Sequence, residues 1–229
     1  MIPYETPHFR PMGDRALLVE LGDVIHPDIN RKVRELFLVL EEKSLPGIKD
    51  LVPGYRSLMV VYDPLELSLF TLQNTVDDLW KHTDASRLPR PKIVEVPVLY
   101  GGNHGPDLEW VASYHQLSLE EVIRYHTQPT YQVYMIGFTP GYPYLGEVPE
   151  AIATPRRQTP RTVVPQGSVA IAQRQTGIYP VQSPGGWHIV GWTPLKLFAA
   201  HKWPPSLLEM GDLVKFISIQ EEEIPKWQG

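Results

Sequence analysis

Residues 161–192 read RTVVPQGSVAIAQRQTGIYPVQSPGGWHIVGW, and this stretch decides the fold of the second half of the chain. Its apolar runs are short, and glycine and proline separate them. Such punctuation is typical of an antiparallel barrel or sandwich. The pattern continues on both sides, and the runs that predict strands are 131–136, 162–164, 168–173, 178–182, 187–192 and 212–219. We therefore predict an all-β second domain.

The first ninety residues alternate between strand and helix patterns. The apolar run 15–21 predicts a strand, and Pro27 begins a helix with one apolar stripe. A Pro-Gly turn at 53–56 joins two further runs into a hairpin. Asp63 predicts the N-cap of a second helix, and 93–99 predicts a last strand that either domain can accommodate.

This order, strand, helix, strand, strand, helix, strand, is the split βαβ or ferredoxin-like plan, so the predicted class is α+β. The prolines and charges at 87–91 interrupt both periodicities and predict a linker between domains 1–90 and 91–229. After it, 105–108 predicts the start of a short helix. A capping box at 118–121 predicts the start of another.

The composition limits the classes of function. The 229 residues carry 21 Lys and Arg against 26 Asp and Glu, and a net charge of −5 disfavours nucleic acid and anionic membranes as partners. The absence of cysteine excludes disulfides and thiolate nucleophiles and fits a cytoplasmic location. Neither a signal peptide nor a membrane-spanning run is evident.

Three stretches could carry chemistry. Residues 137–146 mix glycine, proline and aromatics, which indicates either a stiff ligand-binding loop or a tight connection packed by its own rings. Residues 154–161 place three arginines among prolines, as an anion site or as a solvated cluster. Residues 167–188 offer amides, hydroxyls and an aromatic wall for a small polar substrate, although Trp187 alone reads as a core residue.

Several other sites are disfavoured. His188 lies in a predicted strand without a nearby acid in the sequence, which favours a structural or surface histidine. The histidine spacing fits no known metal motif, so we expect no dedicated metal site. Neither a phosphate-binding loop nor a nucleophile elbow is present, so a nucleotide site would be unconventional.

A set of ordered motifs goes further than composition and pattern. These motifs are Pro11-Met12-Gly13-Asp14-Arg15-Ala16, Tyr100-Gly101-Gly102, Gly105-Pro106-Asp107-Leu108, Gly137-Phe138-Thr139-Pro140-Gly141 with Tyr144-Leu145, Thr154-Pro155-Arg156, Pro160-Arg161, Pro165, Gly167-Ser168-Val169-Ala170-Ile171, Gln175-Thr176-Gly177-Ile178-Tyr179-Pro180, Ser183-Pro184-Gly185-Gly186-Trp187 and Gly191. Together they resemble the family of 5-oxoprolinase B subunits, also called allophanate hydrolase subunit 1 or KipI. The likeness spans nearly the whole chain.

The resemblance implies a ferredoxin-like N-terminal domain and a cyclophilin-like β-barrel C-terminal domain. It implies a hydrolase that is not self-sufficient: with the C subunit of 5-oxoprolinase, the chain uses ATP, with or without magnesium, to activate the lactam of 5-oxoproline. The A subunit then completes ring opening to L-glutamate. No biotin site is evident in the chain.

The resemblance also implies site residues. Arg156 or Arg161 would act catalytically by binding the substrate carboxylate or a phosphate, and amides near Gly185 would stabilise the lactam oxygen. The residues expected to bind substrate are Pro140, Gly141, Gly167, Ser168, Gln175, Thr176, Tyr179, Pro184, Gly185 and Trp187.

Two departures from the family pattern bear on the substrate. His188 replaces a glutamine or other polar residue, and Trp192 replaces a polar or basic one. These departures indicate a shifted substrate. Independently of them, two other functions stay open. One is a KipI-like inhibitor that binds a sporulation histidine kinase, and the other is a subunit of a urea- or allophanate-processing carboxyltransferase complex.

Overall fold

The computed structural model describes residues 3–227, which divide into one unit up to Arg90 and another from Pro91. Within these residues, no helix has the length and apolar character that crossing a membrane requires.

The first unit is a four-stranded antiparallel sheet with two helices. Its elements are β1 (His8–Pro11), β2 (Ala16–Glu20), α1 (Pro27–Lys43), β3 (Ile48–Pro53), β4 (Ser57–Tyr62) and α2 (Leu69–Trp80). The strand order is β1-β2-β4-β3. Alternate residues of β4, such as Leu58 and Val60, pack with the buried stripe of α1 that includes Val33 and Leu36. The apolar residues that alternate along the strand and those that recur every 3.6 residues along the helix thus pack into one core.

The sequence analysis missed one strand of this unit and misplaced one helix start. The edge strand next to β2 is β1, and the strand at 93–100, which the sequence left open to either domain, belongs to the second unit. The predicted helix start at Asp63 is wrong, because α2 begins at Leu69. The Asp63 carboxylate instead accepts a local hydrogen bond from the Leu65 N–H, and the Ser68 hydroxyl caps the helix by accepting from Thr71 N–H at 3.1 Å.

The second unit is a closed β-barrel with two helices and a separate two-stranded sheet. Its elements are β5 (Ile93–Tyr100), α3 (Leu108–His115), α4 (Leu119–Thr127), β6 (Tyr131–Ile136), β7 (Pro143–Gly146), β8 (Arg161–Val164), β9 (Ser168–Ala172), β10 (Gln175–Ile178), β11 (Ser183–Gly185), β12 (His188–Trp192) and β13 (Leu213–Ser218). The barrel order is β10-β7-β6-β13-β5-β12-β9, and β8 pairs with β11. Closure removes the unpaired edges that an open sheet would expose.

The barrel confirms the predicted strands at 131–136 and 187–192 to within one residue, and the capping box at 118–121 is present. The predicted strand at 178–182 is wrong. Strand β10 already ends at Ile178 and β11 begins at Ser183, because Pro180 has no N–H to donate to a ladder. The end of the glycine-rich segment 137–146 is not a loop but strand β7.

A buried hydrogen-bond network crosses the barrel interior. The Thr176 hydroxyl donates to the carbonyl of Ala170, so it accepts at 2.8 Å from the Nε2–H of His126. His126 Nδ1 is then an acceptor, and the Tyr100 hydroxyl donates to it at 2.6 Å. Burial lowers the pKa of His126 to about 3, so its ring is neutral at physiological pH.

This histidine is expected to make the protein acid-sensitive. The unfolded chain binds a proton at His126 below about pH 6.5, whereas the folded chain does not until about pH 3. The contribution of His126 to the free energy of unfolding is therefore complete above about pH 6.5. It decreases by about 1.4 kcal/mol for each unit that the pH falls through that window. Urea unfolding of His126→Gln should show a slope against pH that is flatter by this amount.

The matched control for this measurement is His201→Gln, which removes an exposed histidine of the same unit. The control should keep the wild-type slope. Equal slopes for wild type and His126→Gln would mean that His126 titrates normally in the folded protein.

Candidate functional site

The arginine-bearing loop is anchored by one buried carboxylate. Asp107, which is 4% exposed, precedes α3. Its two oxygens accept from Arg161 Nη1 at 2.8 Å and Nη2 at 2.9 Å, and from Arg157 Nη1 at 2.9 Å. The Ile189 N–H donates to it at 2.7 Å. The bidentate geometry of Arg161 is the strong form of such a pair.

Burial by itself would raise the pKa of Asp107. Hydrogen bonds from Arg161 and from the Ile189 N–H, together with the charges of Arg161 and Arg157, outweigh burial and hold that pKa below its usual value. The carboxylate is therefore ionised, and it neutralises one of the two guanidinium charges that it contacts.

A pocket of about 320 Å³ opens beside this anchored loop, and we call it the aromatic pocket. It is lined by Phe138, Tyr142, Tyr144, Arg156, Arg157, Pro160, Tyr179, Pro184, Gly185, Gly186 and Trp187. Its rings meet edge to face: the Tyr142 and Tyr179 centroids are 5.1 Å apart at 84°, and those of Tyr142 and Trp187 are 6.0 Å apart at 88°. This packing fixes the ring positions.

Arg156 differs from its two neighbours in the loop. Within residues 3–227, no hydrogen bond or ion pair engages its guanidinium, and the side chain is exposed at the pocket rim. Among residues 3–227, no acidic residue lines the pocket. Arg156 is therefore available to an anion, whereas Arg161 is committed to Asp107.

Gly185, the last residue of β11, approaches a tyrosine closely. A Cβ atom at Gly185 would overlap the Tyr179 hydroxyl, and one at Gly177 would lie 2.6 Å from the Tyr142 hydroxyl. The backbone N–H of Trp187 donates to the Tyr179 hydroxyl, and burial raises the pKa of Tyr179. Because glycine has no side chain, the strand backbone at these positions packs directly against the pocket rings.

The structure brings together part of the predicted site. Arg156, Tyr179, Pro184, Gly185 and Trp187 line the aromatic pocket. Sequence reasoning did not single out the other lining rings, although Phe138, Tyr142 and Tyr144 lie in a stretch that it marked as unusual. Asp107 was also missed, and only its membership of the motif at 105–108 pointed to it.

The remaining predicted residues lie outside the pocket lining. Pro140 is exposed, while Gly141 is buried against Phe198, and both flank the pocket residues Phe138 and Tyr142 in sequence.

The other residues predicted to bind substrate or act catalytically have structural contacts in the barrel unit. Gly167 is buried below Trp192, and Ser168 begins β9. Thr176 is held in the His126 network, and the neighbouring Gln175 has a buried amide nitrogen without a partner among the described residues. Arg161 contacts Asp107 and does not line the pocket.

His188 is only 3% exposed and lies flat against Trp110, with ring centroids 4.3 Å apart at 5°. Its Nε2 is 3.0 Å from the carbonyl of Pro155, so Nε2 carries the hydrogen. Burial lowers the pKa of His188, despite the charge of Asp107. The structure thus brings an acid near this histidine that the linear sequence did not reveal, but the ring is neutral and packed.

Comparisons with known proteins identify the family. Residues 7–208 match the family described as carboxyltransferase domain, subdomain C and D. The 5-oxoprolinase B subunit of Haemophilus influenzae is 47% identical over 90% of this chain and 95% of its own length. That of Bacillus subtilis is 41% identical over 93% of this chain and 92% of its own length. The chain therefore belongs to the family of 5-oxoprolinase B subunits.

Longer proteins contain the same fold. The crystal structure of TTHA0988 superposes with a TM-score of 0.80 at 39% identity, over 90% of this chain. The chain spans only 40% of the length of that protein. Urea amidolyase of Saccharomyces cerevisiae is 25% identical over 95% of this chain, which corresponds to 14% of that enzyme.

Proposed function

We propose that the chain is the B subunit of an ATP-dependent 5-oxoprolinase and acts with the C and A subunits of that enzyme to convert 5-oxo-L-proline to L-glutamate. The observation that carries this proposal is the aromatic pocket with the unpaired Arg156 at its rim, in a chain whose relatives are named for this activity. In the same proposal, the first unit is ferredoxin-like and the barrel unit is cyclophilin-like.

The proposed substrate has three features that the pocket can match. Its flat five-membered ring contacts the rings of Tyr142 and Trp187, its carboxylate pairs with Arg156, and its lactam oxygen receives backbone N–H groups near Gly185. A pocket of about 320 Å³ is at the small end of the range for ligand sites, which fits a small molecule.

The role of ATP in the proposed reaction is to activate the lactam. A lactam is a poor electrophile, and phosphorylating its oxygen turns that oxygen into a leaving group. Catalysis of such a transfer consists mainly of positioning and charge neutralisation, which arginines supply. Since no acid lines the pocket, magnesium would reach the site on the nucleotide phosphates.

The test is ADP release dependent on 5-oxoproline, measured for this chain alone, with the C subunit, and with both the A and C subunits, while glutamate is followed in parallel. We expect ADP and glutamate from the assembled mixture and neither from the chain alone. If assembly is demonstrated by gel filtration and the mixture still releases no ADP, the chain is not a 5-oxoprolinase subunit.

A second candidate is supported by the family match. The carboxyltransferase description and the urea amidolyase similarity favour carboxyl transfer to a urea-like amide within a larger assembly. Transfer of a carboxyl group from carboxybiotin, with no response to 5-oxoproline, would select this function over the first.

A further inference from the structure

A second cavity adjoins the aromatic pocket, and we call it the stacked-ring cavity. It has a volume of about 520 Å³ and is lined by Trp110, Tyr114, Pro155, Arg156, Arg157, Gln158, Thr159 and His188. The residues that it shares with the aromatic pocket are Arg156 and Arg157, and the two linings have no others in common. The two cavities therefore meet at a pair of arginines.

Three stacked rings form one wall of this cavity. The Trp110 ring lies between His188, at 4.3 Å and 5°, and Tyr114, at 5.1 Å and 17°. His188 is buried, but Trp110 is 47% exposed and Tyr114 is 53% exposed. Trp110 and Tyr114, on adjacent turns of α3, thus expose the edges of their rings to solvent. Such a surface is typical of a binding site for a planar group.

The shared arginines give the cavity a positive charge. Arg157 donates through Nη1 to Asp107, but its Nε is buried and has no hydrogen-bond partner among the described residues. Arg156 has no ion pair in residues 3–227. In the described part of the chain, the lining of the stacked-ring cavity, like that of the aromatic pocket, contains no acidic residue. The cavity therefore combines an aromatic wall with two guanidinium groups, of which Arg156 is unpaired among the described residues and Arg157 shares Asp107 with Arg161. This combination suits an aromatic anion that carries phosphates.

We propose that the stacked-ring cavity binds the purine nucleoside triphosphate of the reaction, with the base at the edges of Trp110 and Tyr114 and the phosphates at Arg156 and Arg157. This inference rests on the proposed function, which supplies the nucleotide. The lactam in the aromatic pocket then meets the γ-phosphate at the shared arginines, where the five N–H donors of Arg156 serve both the lactam carboxylate and the γ-phosphate.

One phosphoryl group is transferred at this junction. An electron pair of the lactam oxygen forms a bond to the γ-phosphorus, while the bond from that phosphorus to the β–γ bridging oxygen breaks and ADP leaves with that oxygen. The phosphorylated lactam loses its N–H proton to solvent and becomes a neutral imidate bearing the phosphate. Arg156 and Arg157 lie where negative charge accumulates on the transferred group.

The test separates the two cavities by their ligands. Affinity for the non-hydrolysable analogue AMP-PNP, with magnesium, is measured by calorimetry on the chain alone and on the assembled complex. The variants are Trp110→Leu, Tyr114→Leu and the double variant. Phe70→Leu is the matched control, because Phe70 is 73% exposed on α2 of the first unit. Because the base meets the ring edges, loss of each ring should weaken AMP-PNP binding about fivefold, and Phe70→Leu should leave it unchanged.

Steady-state kinetics of the complex supply the second readout. The double variant should raise the KM for ATP at least tenfold and leave the KM for 5-oxoproline unchanged. Wild-type affinity for AMP-PNP in the double variant, or no AMP-PNP binding by either the chain or the complex, overturns the nucleotide site. AMP-PNP binding that needs Trp110, in a complex that ignores 5-oxoproline, upholds the site and rejects the proposed function alone.

Discussion

Arg156→Ala is expected to lower the kcat/KM of the assembled complex for 5-oxoproline by about 100-fold. A charge-assisted hydrogen bond contributes about 1.5–3 kcal/mol, and about 2.7 kcal/mol corresponds to a factor of 100. The guanidinium has no hydrogen-bond or ion-pair partner in the described part of the protein, so its removal breaks no such bond and should leave the melting temperature nearly unchanged. Arg156→Lys keeps the charge but not the planar fork, and it should recover only part of the loss.

The control for this prediction is Arg174→Ala. Arg174 belongs to the same unit and carries the same charge, but it pairs with Glu147 and Glu150 on the surface and does not line either cavity. It should change kcat/KM by less than about twofold, because exposed ion pairs contribute little. If Arg156→Ala retains wild-type kinetics, or if Arg174→Ala loses as much, a specific anion contact at Arg156 is ruled out.

Local sequence patterns predicted the elements that have one dominant signal. The helix that begins at Pro27 has an apolar stripe, and the helix after Ser118 has a complete capping box, so neither depends on distant residues. Strand β7 has no such signal. Its residues include a proline and a glycine that weaken strand propensity, and pairing with β6 and β10 decides its conformation.

The same distinction applies to the site. Arginine among prolines marked the loop at 154–161, but the sequence could not distinguish Arg156 from Arg161. That difference arises from Asp107, which is about fifty residues earlier in the chain and is brought to the loop by the barrel. The stacked-ring cavity was missed for a similar reason, since Trp110 and His188 come from different elements.

Asp107→Asn is expected to lower the free energy of unfolding by about 3 kcal/mol. The substitution keeps the shape of the side chain but removes the charge opposite Arg161 and Arg157, and breaking a buried ion pair costs about 3–5 kcal/mol. We expect the lower end of this range because the arginine side chains are partly exposed. The loop that positions Arg156 would also loosen, so the KM for 5-oxoproline should rise in the assembled complex.

Glu147→Gln makes the same chemical change in an exposed ion pair with Arg174, and it is expected to cost less than about 1 kcal/mol. A double-mutant cycle of Asp107→Asn with Arg161→Gln measures the coupling between the two groups. The double variant should regain part of the stability that Asp107→Asn loses, since only Arg157, and no longer Arg161, is left without its counter-charge. If Asp107→Asn is as mild as Glu147→Gln, the carboxylate does not anchor the loop.

The pH dependence of stability tests independently whether the Asp107 carboxylate anchors the loop. Because the pKa of Asp107 is lowered in the folded protein, its contribution to stability is complete above the usual value of 3.8 and is lost as the pH falls through the folded pKa. The difference in stability between wild type and Asp107→Asn should therefore be constant near neutral pH and shrink in strong acid. A gap that stays the same at every pH would mean that the substitution acts through packing and not through the charge of the carboxylate.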